Sequence, residues 1–439
     1  MASKVKHIKT TDCSFIDIAP DLAMHINDCF TNDSVFKISD HVSKEEIPLL
    51  SYSYPHKKWI TGRFIGQLHF TFKNKAYCFE VKPRFGDATI LHLLEDIFKI
   101  KLGTSKANNT LTNSQQNSLI NKLISLIWVK ELSKSNVHGL PKKKVNTTYK
   151  SNVVKGKINI RKSIMPLYNE SKIVSSKIEK TTDVVIQSIL LKAYQILCKK
   201  YGLTQNMLTV NVKDVLTHAR QGVNANITAN DYKKIRYGAM YLNYKKIVDF
   251  SWEIIQRKKN TLQQQNANNT TDALFLDMAE IWENYMMSTF KKSYQSKGWK
   301  VYSKKYKTYQ NQAYKRGLIP DIILEKNNNV IIWDAKYKNM AFNWNDYDRS
   351  DFFQIHTYGS FMESLNKKVI GLGLLYPFKD NVNEEELKAN FSDTLFNQGN
   401  NNTWFKVDGI ALPASAEELS LNKNLFINRI DKIISTIQH

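Results

Sequence analysis

Two aspartates and a lysine near residue 330 have the side chains needed for phosphate chemistry. The stretch 317–338 reads GLIPDIILEKNNNVIIWDAKYK, so Asp321 follows a proline and Asp334 stands two residues before Lys336. Two neighbouring carboxylates repel each other unless one is protonated or a cation lies between them. Mg²⁺ prefers such oxygen ligands and keeps positions for water and a phosphate oxygen. With a lysine to stabilise added negative charge, this set is typical of phosphodiester hydrolysis.

The flanking residues predict a β-hairpin that brings these side chains onto one face. Two β-branched runs enclose a four-residue loop, KNNN. If Glu325 pairs with Val330, Asp321 lies directly opposite Asp334, with Cβ atoms about 4.5–5.5 Å apart. Lys336 then points to the same side, because side chains alternate along a strand. The alternative is a solvated strand face with an ordinary Asp–Lys ion pair.

Glu283 is a candidate third carboxylate. The sequence predicts a helix at about 272–293, and a carboxylate within its apolar stripe is costly unless it is paired or binds a metal. Glu283 is therefore predicted to bind the metal or to hold Lys336, and Glu280, one turn earlier, is a further candidate. The alternative is a glutamate at the edge of the stripe that reaches solvent. The face in question carries Leu276, Ala279, Glu283, Met286 and Phe290.

A second predicted helix, residues 351–366, follows the hairpin and presents Gln354 and Tyr358 on one face. We expect this pair to face the sheet and to hydrogen-bond the metal site or the DNA backbone. The alternative is a surface glutamine beside a partly buried tyrosine. Arg349 is a candidate phosphate contact, and His356, on another face, is assigned no role.

The order of elements around these residues predicts an α/β domain in the C-terminal third. A strand near 299–303, the hairpin, the helix after it and an apolar strand at 369–376 describe a sheet with a central hairpin and a crossover helix. Strand-like pieces at 58–83 predict a small, strongly bent β-domain. Between these regions, 184–201 and 229–257 have the periodicity of helices.

Composition divides the chain into three predicted domains. Polar stretches rich in Asn and Gln at 104–118, 260–272 and 397–403 are predicted to be loops or linkers. We therefore expect an α+β multidomain protein. Its predicted parts are a β-rich N-terminal domain at 1–105, a basic and mainly helical region at 106–265, and a C-terminal α/β domain at 270–439.

The positive charge is concentrated in the middle of the chain. The whole chain has a net charge of +23. Residues 130–269 hold 26 Lys and Arg against 8 Asp and Glu, a surplus of +18, whereas 1–129 contribute +4 and 270–439 only +1. Such a surplus attracts a polyanion, and salt weakens the attraction. Nucleic acid is the predicted partner, and the alternative is a generally basic, soluble surface.

The sequence lacks the signals of several other classes of protein. It has no run of about 18 apolar residues, and its first residues do not resemble a signal peptide. Its four widely spaced cysteines form no CxxC pair, which predicts free thiols in a reducing compartment. No G-x-x-x-x-G-K-[ST] phosphate loop occurs. We expect a cytoplasmic protein without a membrane segment or a nucleotide motor of its own.

Several segments together resemble the McrC family, the endonuclease subunits of McrBC-type, modification-dependent restriction systems. The hairpin and the following DFFQIHTYG resemble that family's nuclease core, which is of the PD-(D/E)xK type. Glu283, in AEIWENY, matches the family's helix glutamate. Two further segments match, VVKGKINIRKSI at 153–164 and FEVKPRFGDATILHLLEDIF at 79–98. The matches spread over about residues 58–376.

The resemblance implies a division of labour beyond what the residue pattern shows. McrC-like subunits bind a hexameric AAA+ GTPase of the McrB type, stimulate its hydrolysis and cut double-stranded DNA. It implies that GTP is bound by the partner, that this chain binds Mg²⁺, and that the β-rich N-terminal domain docks on the ring. The expected catalytic residues are Asp321, Asp334, Lys336, Glu283, Gln354 and Tyr358, and the expected Mg²⁺ ligands are Asp321, Asp334 and Glu283.

Two other functions fit the sequence. One is a stand-alone PD-(D/E)xK restriction enzyme or junction resolvase, which would cut DNA without a nucleotide. The other is a DNA-binding module that regulates a motor and keeps only a vestigial nuclease site. The intact Asp321, Asp334 and Lys336 set disfavours the second.

Overall fold

The computed structural model groups the chain into two compact units. The first unit contains residues 1–104 and 269–439, and the second unit contains residues 105–268. Most of each stretch predicted as a linker lies outside the described residues, as does all of 397–402. No helix in the described ranges is long and apolar enough to cross a membrane. The structure describes residues 5–31, 35–36, 47–98, 117–220, 227–264, 272–309, 317–338, 349–379, 385, 387, 391–394 and 403–437.

The N-terminal part of the first unit is mainly strand. Its helices are α1 (Pro20–Cys29) and α2 (Asp87–Phe98). Its strands are β1 (Lys6–Thr11), β2 (Phe15–Ile16), β3 (Val35–Phe36), β4 (Leu50–Ser53), β5 (Lys58–Thr61), β6 (Phe64–Phe72) and β7 (Lys75–Lys82).

The second unit alternates helices with a small sheet. Its helices are α3 (Asn117–Ser135), α4 (Ile160–Glu170), α5 (Val184–Lys200), α6 (Val210–Ala219), α7 (Ala229–Lys233) and α8 (Tyr244–Gln264). Its strands are β8 (Lys142–Ser151), β9 (Lys157–Ile158) and β10 (Ile173–Thr182).

The C-terminal part of the first unit alternates strands and helices. The α-helices whose bounds lie in its described residues are α9 (Met278–Tyr294), α10 (Arg349–Ser364) and α11 (Ala416–Ile437). Its strands are β11 (Asp272–Asp277), β12 (Lys300–Tyr302), β13 (Tyr306–Lys307), β14 (Gly317–Leu318), β15 (Ile322–Lys326), β16 (Asn329–Ala335), β17 (Lys368–Phe378), β18 (Phe391–Ser392) and β19 (Trp404–Ala411).

A mixed sheet in the C-terminal part carries the candidate site. Its order over the described residues is β12-β15-β16-β17-β19-β18, with β16, β17 and β19 mutually parallel and β15 antiparallel to β16. On one face, Ile355 of α10 shares a buried cluster with Leu372 of β17. On the other face, Trp333 contacts Phe290 of α9, which also contacts Phe426 of α11. The sheet is therefore buried on both faces, as expected for an α/β domain.

The N-terminal strands share a sheet with a strand from the C-terminal part. In the order β1-β7-β6-β11-β3, β11 runs antiparallel to β6 and places Phe275 opposite Gly66. Ile26 of α1 belongs to the same buried cluster as Phe275. The sequence predicted two separate domains here, whereas the structure groups both parts in one unit.

The helix predicted at 272–293 was too long at its N-terminal end. Residues 272–277 form β11, and α9 begins at Met278. Asp277 ends the strand and caps the helix, because its side chain accepts the backbone N–H of Ala279 at 2.9 Å. Leu276 therefore belongs to the strand and not to the apolar stripe of the helix.

The second unit contains a sheet that the sequence analysis did not predict. β8 pairs antiparallel with β10 along the full length of both strands, and β9 pairs on the other side of β10. The single helix predicted at 229–257 is also wrong in part, because α7 ends at Lys233 and α8 begins at Tyr244. A capping box at Thr228 starts α7, and Gly238 lies in the break between the two helices.

The McrC-like segment 153–164 lies beside this sheet. Gly156 has a φ of +93°, and a Cβ there would lie 2.5 Å from the carbonyl oxygen of Ser176. Both observations require glycine. Ser163 of α4 hydrogen-bonds the backbone of Val174 in β10 through its hydroxyl. The segment therefore anchors α4 against β10.

Gly373→Ala is expected to destabilise the first unit, because a Cβ at this position would lie 2.1 Å from the ring of Trp333. Overpacking of a buried position typically costs 1–3 kcal/mol. Urea unfolding measures the loss. Gly238→Ala is the matched control, since its added Cβ would meet nothing within 4 Å. Equal stability of the two variants would contradict this account of the strand.

Candidate active site

The predicted register of the hairpin is confirmed. Glu325 pairs with Val330, and the ladder continues to Ile322 opposite Trp333. Asp321 and Asp334 are the next residues on the two strands. The hairpin therefore brings the two aspartates opposite each other at the carboxyl end of β16.

The turn of the hairpin is shorter than predicted. Lys326 pairs with Asn329, so only Asn327 and Asn328 connect the strands. Both have a positive φ, 49° and 68°. Asparagine tolerates this left-handed conformation, and a two-residue turn of this kind matches the natural twist of the strands. The register of the hairpin is the predicted one although the loop has two residues and not four, because Glu325 still pairs with Val330.

The two aspartates differ in exposure and in how they are held. Asp334 is 1% exposed, and its Oδ2 lies 2.6 Å from Lys336 Nζ in an ion pair. Asp321 Oδ2 accepts the backbone N–H of Ala335 at 2.8 Å. Burial raises the pKa of Asp321 well above its ordinary value, and the negative charges of Asp334 and Glu283 raise it further. The site therefore favours uptake of a positive charge, as a proton or as a cation.

Lys336 is fixed by a chain of hydrogen bonds from α10. Its Nζ donates to Gln354 Oε1 at 2.7 Å, and Gln354 Nε2 contacts the hydroxyl of Tyr358 at 2.7 Å. That hydroxyl donates to the carbonyl of Ile319 at 3.1 Å. Burial acts to lower the pKa of Lys336, but nearby carboxylates, above all Asp334, outweigh it, and the pKa is raised overall. Lys336 is thus a positioned ammonium whose charged form is favoured by the surrounding carboxylates.

Asp351 lies at the site and was missed by the sequence analysis. It is 4% exposed in the first turn of α10. Its Oδ2 accepts from Lys338 Nζ at 2.8 Å and from the hydroxyl of Tyr376 at 3.3 Å, and its Oδ1 lies 3.7 Å from Lys336 Nζ. The available signal was its spacing, three residues before Gln354 and so on the same helical face.

Glu283 of α9 interacts electrostatically with the pair of aspartates. Burial raises the pKa of Glu283 to about 8; Asp277 and Asp334 contribute in the same direction, and Arg63 opposes them. Arg63 is ion-paired with Asp277, with 2.9 Å between Nη2 and Oδ2. Sequence reasoning singled out neither member of this pair, because Arg63 reaches the site only through the pairing of β6 with β11.

The remaining candidates lie further from this chemistry. Glu280 is buried, and its charge contributes to the raised pKa of Glu283. Arg349 is exposed at the first residue of α10. His356 packs against Phe352, with ring centroids 4.0 Å apart, on another face of the helix.

The donor set fits a hard divalent cation. Asp321 and Asp334 offer carboxylate oxygens from facing strands, and a cation relieves the repulsion that raises the pKa of Asp321. Among the described residues, no three His, Cys, Asp or Glu side chains form a ready metal cage. Mg²⁺ ordinarily takes one or two carboxylates and completes its shell with water and phosphate oxygens. The pair offers the number of carboxylates that Mg²⁺ ordinarily takes, and the three expected ligands, Asp321, Asp334 and Glu283, stay predictions.

The chain is a mixed α/β protein with several sheets, and its first unit has an acidic pair and a lysine at the end of a central hairpin. Residues 61–377 match the family described as the McrBC 5-methylcytosine restriction system component. This match covers well over half of the chain, so the chain belongs to that family.

Solved structures show a likeness in fold. A chain of the refined half-complex from a tetradecameric assembly of Thermococcus gammatolerans McrB AAA+ hexamers with bound McrC aligns with a TM-score of 0.51 and 11% identity, covering 97% of this chain and 100% of that one. A chain of the cryo-EM structure of the Thermococcus gammatolerans McrBC complex aligns with a TM-score of 0.32 and 11% identity, covering 66% and 88%. No curated protein sequence gives a significant match.

Glu283→Gln is expected to stabilise the metal-free protein increasingly as pH rises. The folded-state pKa of about 8 lies above the ordinary value of 4.5, so the wild type loses stability as pH rises between these two values. The glutamine avoids this loss, and the gain at pH 8 should be at least about 1 kcal/mol. Urea unfolding with EDTA at pH 5 and pH 8 measures it. Glu363→Gln, at an exposed position of α10, is the control; an equal response would contradict the interpretation.

Proposed function

We propose that the chain is the endonuclease subunit of an McrBC-type restriction system, which cleaves double-stranded DNA with Mg²⁺. We further propose that an AAA+ GTPase of the McrB type licenses cleavage and is stimulated in return. The main support is that Asp321 and Asp334 face each other while Lys336 Nζ lies 2.6 Å from the latter. This arrangement supports the proposal of a PD-(D/E)xK nuclease core. Family membership supports the restriction system, and the related McrB–McrC complex supports the partner.

In this proposal Asp321 and Asp334 hold the Mg²⁺. When bound, the metal supplies Lewis-acid activation of a phosphate and a more acidic water. Lys336 hydrogen-bonds the attacking water and places positive charge beside the phosphate. Gln354, itself in contact with Tyr358, accepts from the ammonium and limits its rotation. The chain's own contribution is thus to hold a cation site and a fixed charge at one point.

Asp334→Asn and Lys336→Ala are expected to abolish or nearly abolish cleavage, because they remove a metal ligand and the fixed charge. Loss of one such electrostatic group typically costs about 10²–10³-fold in rate. The assay uses plasmid DNA carrying 5-methylcytosine, Mg²⁺, GTP and an McrB-type partner. DNA binding is measured alongside it and should be retained. Both variants should stay folded, but Lys336→Ala should lower the melting temperature, because it leaves the buried Asp334 without its ion pair.

Lys326→Ala is the matched control for these variants, since it removes a lysine from the opposite end of the same hairpin. It should cleave like the wild type. Undiminished cutting by Asp334→Asn would overturn the assignment. Cleavage by the isolated chain without nucleotide would favour a stand-alone restriction enzyme, and no cleavage by the wild type under any condition would favour a vestigial site.

The second unit offers the basic surface for DNA. Its long sheet is largely exposed, and one face carries lysines along both main strands, among them Lys142, Lys144 and Lys150 of β8 and Lys180 of β10, which pairs with Lys144. Lysines in such a row neutralise phosphates without reading bases. This supports DNA contact by the region that holds the +18 surplus.

A different surface of the second unit fits a protein partner. Helix α4 leaves its apolar side chains in solvent, with Ile160 76%, Ile164 61% and Tyr168 90% exposed. These residues are spaced at i, i+4 and i+8 and so form one helical face. Contiguous exposed apolar surface marks an interaction site, and the phosphate backbone of DNA does not bury apolar side chains. We therefore assign partner docking to α4, while the docking predicted for residues 1–105 stays untested.

Ile164→Asp combined with Tyr168→Asp is expected to weaken binding to the McrB-type partner by at least about tenfold, because a central tyrosine often dominates an interface. The readout is GTP hydrolysis by the partner as a function of the concentration of this chain. Tyr54→Asp is the matched change on the first unit, where Tyr54 is 83% exposed. If Tyr54→Asp weakens stimulation and the α4 variant does not, docking lies in the N-terminal region as the sequence predicted.

A further inference from the structure

The backbone that carries Lys336 continues beyond β16 and is held from two sides. The amide of Lys336 donates to the carbonyl of Leu375 in β17 at 2.8 Å. Two residues later, the carbonyl of Lys338 accepts a hydrogen bond from Arg84 Nη2 at 3.0 Å. Between them, the ring of Tyr337 is 4% exposed. The segment 336–338 is therefore fixed partly by the sheet and partly by a residue 254 positions earlier in the chain.

Besides this hydrogen bond, Arg84 contacts two aromatic rings through its guanidinium. Its Cζ lies 4.5 Å from the ring centroid of Tyr337 and 4.8 Å from that of Phe85. The two rings meet edge to face at 6.1 Å. A guanidinium over an aromatic face is attracted by the ring and, being planar, also stacks on it. Lysine cannot reproduce both the stack and the directed hydrogen bond.

Asp12 fixes Arg84 in turn. Its side chain is 0% exposed, its Oδ1 accepts the backbone N–H of Arg84, and its Oδ2 lies 3.8 Å from Arg84 Nε. Burial raises the pKa of Asp12, and the charge of Arg84 opposes this rise. Asp12 and Arg84 follow the ends of the parallel strands β1 and β7, where the amide of Asp12 donates to the carbonyl of Lys82 at 2.9 Å. A buried carboxylate is stable only with such a partner.

We propose that Asp12, Arg84 and Tyr337 form a brace that positions Lys336 for DNA cleavage, so that Arg84 is a positioning residue of the nuclease site. The proposal rests on the function proposed above. It also gives a role to the McrC-like segment FEVKPRFG, which the nuclease chemistry itself does not use: this segment supplies the arginine that holds the end of the catalytic strand.

The position of the Lys336 ammonium depends on this backbone. Its Nζ lies 2.6 Å from Asp334 Oδ2 and 3.7 Å from Asp351 Oδ1. The other oxygen of Asp351, Oδ2, accepts a hydrogen bond from Lys338 Nζ at 2.8 Å. A shift of the segment 336–338 would change which lysine meets which carboxylate. A misplacement of about 1 Å at a catalytic group can cost about 10²-fold in rate. The sheet restrains this shift at Lys336, and the brace restrains it at Lys338.

The test compares Arg84→Ala with Lys73→Ala in the full-length chain, assayed with its AAA+ partner, GTP, Mg²⁺ and plasmid DNA carrying 5-methylcytosine. Lys73 is the matched control because it precedes β7 at the opposite end and forms an exposed ion pair with Asp21. Arg84→Ala should lower the cleavage rate at saturating DNA about 10- to 100-fold. The DNA concentration for half-maximal rate should stay unchanged, whereas a general loss of folding would lower all signals together.

Conservative and disruptive changes at Tyr337 separate positioning from packing. Tyr337→Leu removes the stacked ring and should lower the cleavage rate as Arg84→Ala does. Tyr337→Phe keeps the ring, so its cleavage rate should be close to that of the wild type. If Arg84→Ala does not fold, Arg84→Lys takes its place and should also lower the cleavage rate. The comparison of Tyr337→Leu with Tyr337→Phe is made in either case. Wild-type cleavage by Arg84→Ala, or a loss that follows DNA binding and melting temperature in proportion, overturns the proposal.

A readout without catalysis separates this proposal from the proposed function. Hydrogen exchange at the amides of residues 336–338 should accelerate at least about tenfold in Arg84→Ala and stay unchanged in Lys73→Ala, because the brace limits local opening. Unchanged exchange overturns the brace even if the protein is a nuclease. If the wild type never cleaves DNA, the proposed function fails, and accelerated exchange still supports the brace.

Discussion

The repulsion between two facing carboxylates, Asp334 buried and Asp321 partly buried, is the constraint that the rest of the first unit accommodates. Asp321 and Asp334 stand opposite each other at the end of an otherwise apolar hairpin, and the pKa of Asp321 is raised well above its ordinary value. Such a pair is unfavourable in an isolated protein and favourable only toward a cation. Lys336 offsets part of the negative charge through its ion pair with Asp334. The facing carboxylates thus lower the stability of the fold at the point where the chemistry is expected.

The layers around the sheet make this arrangement possible. Helix α10 on one face supplies Gln354 and Asp351, which hold Lys336 and Lys338. Helix α9 on the other face is capped by Asp277 and carries Glu283 toward the same end. Because β11 leads directly into α9 and pairs with β6, the N-terminal strands stabilise the element that brings Glu283 to the site.

The two units differ in what their surfaces offer. The first unit concentrates buried acidic groups and has almost balanced charge, whereas most of the positive charge lies in the second. A polyanion is repelled by an acidic site unless a cation or a neighbouring basic surface compensates. The proposed function accordingly assigns DNA cleavage to the first unit and DNA contact to the second.

The sequence by itself determined the hairpin register and the face of α10, because both follow from local periodicity. Side chains alternate on a strand, so Asp321, Asp334 and Lys336 share a side once Glu325 pairs with Val330. Gln354 and Tyr358 meet because they are one helical turn apart. Local periodicity could not decide that residues 272–277 form a strand, since an apolar run fits a helix or a strand until its partner is known.

Only the tertiary structure showed the contacts made by long-range pairing. Arg84 reaches Lys338 across 254 residues, and Arg63 reaches Asp277 across 214. The sequence analysis did not single out Asp351, whose role follows from Lys338 and Tyr376 at its oxygens. Such contacts leave no periodic trace in the sequence, because they depend on which strand ends meet in the folded sheets.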